Sequence, residues 1–156
     1  MRGLRGVAVA LAGCALVAGS AAAQEKKIER KDLPPAVERT VAAQARGATI
    51  KGFASEVEDG KTLYEVEMTI NGHGKDVSID STGAVVEIEE EVAFARLPAA
   101  VKAGLTAKAG TGKITKVESL TKHGKLVAYE AQVTAADGKK SEVQVGPDGK
   151  ALAHEE

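Results

Sequence analysis

The sequence predicts an α+β protein built from two tandem repeats, each one helix packed on a four-stranded antiparallel sheet. Three observations carry that expectation. The chain repeats itself: Leu33-Pro34-Pro35-Ala36-Val37 recurs as Leu97-Pro98-Ala99-Ala100-Val101, Tyr64-Glu65 as Tyr129-Glu130, and Val77-Ser78-Ile79 with Gly83 as Val143-Gln144-Val145 with Gly149. These offsets of 64, 65 and 66 residues drift so little that one duplicated unit with single insertions in its loops accounts for them. Within each unit the spacing of apolar residues changes from about four to two, which is the change from helix to strand. Turn signals then recur at regular intervals: Asp59-Gly60 and His123-Gly124, Asn71-Gly72 and Asp137-Gly138, Thr82-Gly83 and Asp148-Gly149.

Residues 1–23 read as a secretory signal outside the fold. Arg2 and Arg5 form a positive start, Val7 to Ala18 is an apolar run, and Ala21-Ala22-Ala23 supplies small residues for cleavage before Gln24. The run is shorter than the ~20 residues of a membrane span and is diluted by Gly13 and Gly19. The expected location is therefore the periplasm or the exterior, with no transmembrane span once the signal is removed. Leu11-Ala12-Gly13-Cys14 resembles a lipobox, so a lipoprotein anchored through Cys14 is the alternative. Simple cleavage removes the only cysteine and leaves a net charge of −3, a balance that excludes a dedicated nucleic-acid binder.

The two units are expected at residues 24–91 and 92–156. Asp32 precedes Leu33-Pro34-Pro35, which places a capping carboxylate and prolines at a helix start. Leu33, Val37, Val41 and Ala45 form one apolar stripe, and Leu97, Val101, Leu105 and Ala109 form its counterpart. Gly47, Gly110 and Gly112 supply the stops. The first strand of each unit, near Ile50 to Val57 and Ile114 to Leu120, alternates poorly and predicts a bulge or an edge. The next alternates cleanly, with Tyr64, Val66, Met68 and Ile70 against Glu65, Glu67 and Thr69, and Tyr129, Ala131 and Val133 against Glu130, Gln132 and Thr134. The last strands fall at Ala84 to Ile88 and Lys150 to Leu152. Pairing the edge strands of the two units into one longer sheet would remove two exposed edges.

A helix led by Leu-Pro, a Gly-Lys turn at Gly60-Lys61 and Gly124-Lys125, a Tyr-Glu-aliphatic strand and a Val-x-aliphatic strand closing on Gly83 or Gly149 together resemble the PepSY-like domains. The repeat markers are Leu33, Pro34, Tyr64 and Gly83, with Leu97, Pro98, Tyr129 and Gly149. The tandem arrangement also resembles the beta-lactamase-inhibitor-like proteins. The resemblance implies an exported, non-catalytic binding protein that acts as a peptidase inhibitor or modulator through an open sheet face, with a peptidase or another envelope protein as its partner.

Candidate chemistry is sparse. Cys14 lies in the leader and no serine sits in a nucleophile elbow, so no catalytic residue and no enzyme is expected. Gly110-Thr111-Gly112-Lys113 fails as a phosphate loop, because Ala107 stands where the leading glycine belongs and Ile114 where Ser or Thr would follow. His73, His123 and His154 have no ligand spacing, and no metal or cofactor is expected. The run Glu87, Glu89, Glu90 and Glu91 reads as a solvated strand face. Tyr64 and Tyr129 share parity with apolar neighbours and point beneath the helices. Glu65, Glu67, Glu130 and Gln132 then line the face without helices, where a basic or polar partner would dock. With only Phe53, Tyr64, Phe94 and Tyr129 as aromatics, that face lacks the usual anchors of protein interfaces. A sensor of small ligands or calcium-type ions in the envelope is the second expectation.

Overall fold

The computed structural model describes residues 25–58 and 60–156. The signal boundary after Ala23, the Cys14 alternative and Asp59 in the first hairpin turn lie outside the described residues. Strand β1 (Lys26–Ile28) comes first, followed by a 3-10 turn (Arg30–Asp32) and helix α1 (Pro35–Gln44). A meander of β2 (Thr49–Glu58), β3 (Lys61–Ile70), β4 (His73–Asp80) and β5 (Val85–Glu91) follows. A second 3-10 turn (Phe94–Arg96) leads into helix α2 (Ala99–Ala109), then β6 (Lys113–Lys122), β7 (Lys125–Thr134) and β8 (Lys140–Val145). The eight strands form one antiparallel sheet in sequence order.

Two elements differ from expectation. Asp32 does not cap α1: its carboxylate accepts the Glu29 N–H at 3.0 Å and closes the 3-10 turn, while Pro34 and Pro98 occupy the N-cap positions of α1 and α2. Leu33, held extended before the prolines, separates Asp32 from the helix it was expected to cap. Lys150 to Leu152 is not a strand, because the Gly146 N–H donates to the Lys150 carbonyl at 2.8 Å and turns the chain. The eighth strand is instead β1, whose three residues are too few to show a period.

The strands that follow α1 meet those that follow α2 in a ladder between β5 and β6. Glu87, Ile88, Glu89, Glu90 and Glu91 of β5 oppose Lys122, Thr121, Leu120, Ser119 and Glu118 of β6. The poor alternation of the first strands reports real bulges, at Ile50/Gly52 in β2 and Ile114/Lys116 in β6. Asn71-Gly72 and His123-Gly124 close tight hairpins with positive φ at all four residues, as two-residue turns between twisted strands require.

Both helices lie on one face of the sheet. Leu33, Val37 and Val41 pack on Val66, Met68, Val77 and Ile79, and Tyr64 borders them. Leu97, Val101 and Leu105 pack on Val117, Ala131 and Val145, with Tyr129 alongside. Each core is a single stripe of branched aliphatics against a sheet, so one deletion is felt. Replacing the fully buried Leu105 by alanine is expected to destabilise the protein by about 2–5 kcal/mol in chemical denaturation, the range for a leucine cavity.

Candidate functional site

The other face carries no helix, and register decides what meets there. Because side chains alternate, Glu65 and Glu67 on β3 share that face with Asp76 on β4, Glu87, Glu89 and Glu91 on β5, Lys116, Glu118 and Lys122 on β6, Glu130 and Gln132 on β7, and Glu142 and Gln144 on β8. Two rows run across the strands. In one, Glu67 opposes Asp76 and Asp76 opposes Glu89; in the other, Glu91 opposes Glu118, Glu118 opposes Glu130 and Glu130 opposes Gln144. Like charges directly opposite on neighbouring strands repel. Small and apolar residues lie between them: Ala54, Leu63, Leu120 and Ala128 are buried on this helix-free face.

Four residues expected from sequence to line this face do so, but they do not form one group. Glu65 and Glu67 lie on β3 and Glu130 and Gln132 on β7, with three strands between them and so a separation of about 19 Å at the usual strand spacing. The centre is made by residues that sequence reasoning did not single out. One oxygen each from Asp76, Glu89 and Glu118 come within 4.8 Å of one another. Glu118 is only 5% exposed, and Asp76 Oδ1 is buried with no hydrogen-bond partner.

Burial with too little countercharge displaces these carboxyls strongly. Desolvation first, then the Glu87 and Glu118 charges, pushes Glu89 up to about 9. Desolvation, reinforced by Asp76, raises Glu65 to about 7, and desolvation reinforced by Glu67 and Glu118 raises Asp76 to about 6. Glu56, Glu130 and Glu142 are also raised, with desolvation the leading cause in each. The run from Glu87 to Glu91 is therefore not a solvated strand face. Glu87, Glu89 and Glu91 point into the half-buried surface, while Glu90 points to the helix side and pairs with Lys75 at 3.1 Å.

Two amines reach into the group. Lys116 Nζ lies 2.5 Å from Glu118 Oε1, and Lys122 Nζ lies 3.5 Å from Glu87 Oε2. The Gly74 N–H donates to Glu91 Oε2 at 3.0 Å. Glu130 Oε2 accepts the Gln144 amide at 2.7 Å, which opposes its rise. Among these pairs, none neutralises Glu65, Asp76 or Glu89. The face thus gathers half-buried carboxyls that hold their protons more tightly than carboxyls in water.

No protein-family model and no curated protein matches the chain. Solved structures do. A protein from Bacteroides fragilis described as BLIP-like superposes with a TM-score of 0.55 at 19% identity, covering 77% of this chain and 83% of its own. The fold is BLIP-like. A DUF2874 family protein from Bacteroides ovatus superposes with a TM-score of 0.59 at 21% identity over 78% of this chain and 86% of its own. A protein provisionally described as periplasmic, from Bacteroides eggerthii, does so with a TM-score of 0.61 at 18% identity over 77% and 86%. In this chain the BLIP-like sheet presents carboxylates across its helix-free face. No described helix is long and apolar enough to cross a membrane.

Proposed function

We propose that this is an exported, non-catalytic binding protein that holds a basic segment of another envelope protein, a peptidase among the candidates, on its carboxylate face. The observation that carries the reading is the set of half-buried carboxyls at Glu65, Asp76 and Glu89, which burial and neighbouring carboxylates raise toward or above neutrality and which make no ion pair among the described residues. A partner that brings Lys or Arg supplies the missing charge, and gains steering and register from it. Export is supported by the leader pattern in residues 1–23 and by the periplasmic description of a structural neighbour. The repeat markers at Leu33, Pro34, Tyr64 and Gly83 and their counterparts support a PepSY-like duplication of one helix-and-sheet unit. The duplicated residues are packing and turn residues, as expected of a scaffold for binding and not of a catalytic site.

The test is a calorimetric titration with a peptide that alternates lysine and threonine, so that its amines fall on one face of an extended strand. Binding should weaken with salt and fall by about tenfold or more in the Glu65→Lys/Glu130→Lys double variant. Failure to bind, or equal binding by the charge-reversed variant, would overturn the reading.

A second reading is favoured by one observation, the buried, unpartnered Asp76 Oδ1 beside Glu89 and Glu118. Hard divalent cations take such oxygens. A calcium-dependent rise in melting temperature that disappears in Asp76→Asn, without peptide binding, would move the function to ion sensing.

A further inference from the structure

The helix-free face is not bare at its β8 end. After the turn closed by Gly146 and Lys150, the chain folds back, and the backbone of Glu156 lies on Gln144. The Glu156 N–H donates to Gln144 Oε1 at 2.9 Å, and Gln144 Nε2 donates to the Glu156 backbone oxygen at 3.4 Å. Gln144 is 6% exposed and is held in place by its bond to Glu130. A primary amide that offers its oxygen to an N–H and its nitrogen to the backbone oxygen of the same residue reads backbone, as a neighbouring strand would, and is indifferent to side-chain identity.

The side chains laid down by this clasp suit the surface poorly. Glu156 Oε2 finds Lys122 Nζ at 3.6 Å, across β7 from Gln144. Glu155, by contrast, adds its negative charge to the fields already raising Glu130 and Glu142. The backbone is bound while one of the two acidic side chains is repelled. A segment that met Gln144 through the same backbone N–H and oxygen but carried basic side chains would keep the clasp and reverse the sign of the second contact.

We propose that residues 151–156 are an intramolecular stand-in, seated where an extended basic peptide binds, with Gln144 as the backbone clasp for both. This rests on the cationic-partner reading above and adds to it the conformation of the partner, the residue that recognises its backbone, and a competitor built into the chain. The partner is an extended strand and not a helix, because a helix has already spent its interior N–H and C=O groups on itself. Lys122 belongs to the stand-in's contact, so the incoming segment must leave its acidic or polar residue at that point and place its basic ones toward Glu130 and Glu142.

The test uses the alternating lysine-threonine peptide with two forms of the protein, the full chain and one lacking residues 151–156, and follows amide hydrogen exchange at Glu156 in the full chain. The proposal expects the shortened chain to bind about tenfold more tightly, and the Glu156 amide to be protected in the free protein and released as peptide saturates. Equal affinity of the two forms, with Glu156 still protected at saturation, overturns the stand-in and leaves the cationic-partner reading intact. Absence of binding by both forms overturns the cationic-partner reading itself. The exchange measurement needs no altered chain, so misfolding of the shortened form would not obscure the answer.

Discussion

Replacing Glu89 by glutamine is expected to raise the melting temperature at pH 8 by about 10 °C, equivalent to a gain on the order of 2–3 kcal/mol. The direction follows from linkage. Burial and the Glu87 and Glu118 charges hold the Glu89 carboxyl protonated up to about 9 in the folded chain, whereas the unfolded chain gives up that proton near the ordinary 4.5. Between those values the folded state binds more protons than the unfolded state, so stability falls as pH rises. Its contribution is complete below pH 4.5 and is lost progressively toward pH 9. Glutamine keeps a donor for Glu87 and never ionises, so the variant and the parent should melt together near pH 4 and separate steadily above it. Glu65 and Asp76, raised to about 7 and about 6, add the same sign over narrower windows. The parent chain should therefore be more stable at pH 5 than at pH 8, and thermal melts across that range check it. A parent melting temperature that climbs with pH would mean that these carboxyls are paired in a way the described geometry does not provide. The same variant should bind a basic peptide more weakly, because glutamine has no proton to give up when an incoming amine would stabilise the ionised carboxyl. Stability given up at a binding surface is a familiar trade.

Gly149→Ala is expected to be the most damaging single methyl in the chain, costing on the order of 3 kcal/mol or more and lowering the melting temperature by about 10 °C. A Cβ at Gly149 would fall 2.2 Å from the Ala100 carbonyl oxygen, and the residue sits at φ +78, which side chains rarely adopt. Both partners are backbone, so neither a rotamer change nor a local shift relieves the contact. The equivalent Gly83 has φ +89 and its Cβ would meet the Ala36 carbonyl at 2.7 Å, so Gly83→Ala should be harmful for the same reason but less so. There the Thr40 hydroxyl also donates to the Gly83 carbonyl at 2.6 Å and ties α1 to the turn. A glycine on the helix side of the second contact, Gly104, completes it: its Cβ would lie 2.1 Å from the Gly149 carbonyl oxygen. Gly104 weakens α2 by about 1 kcal/mol relative to alanine, and the close approach of the Gly146–Lys150 turn explains its presence. Urea denaturation of the three alanine variants should rank Gly149 and Gly104 below Gly83 in stability.

Position by position, local information was legible and information that crosses strands was not. The helix stripes through Val37 and Val41 and through Val101 and Leu105 are properties of adjacent turns, and both stripes are the buried ones. The hairpin glycines and the irregular first strands are equally local, and they appear as positive-φ turns and as bulges. Asp32 was misread because its reach depended on the extended Leu33, and β1 was missed because three residues carry no period. The candidate face was half legible. Alternation placed Glu65, Glu67, Glu130 and Gln132 on the side away from the helices, since parity within a strand needs no partner. Alternation could not say that Asp76, Glu89 and Glu118 share one point, because that depends on the register of β4, β5 and β6.

The sequence by itself determined the helix faces, the turns and the parity of the cleanly alternating strands β3 and β7, because each follows from steric and hydrophobic rules acting over a few residues. Only the tertiary structure decided that β5 and β6 join the strands into one sheet, that this join brings Glu89 against Leu120 and Glu91 against Glu118, and that the chain returns to place Glu156 on Gln144. Those contacts link residues far apart in sequence. Their consequence is electrostatic: a carboxylate that looks solvated in its own strand is desolvated, and its proton held, by side chains that the register of other strands sets beside it.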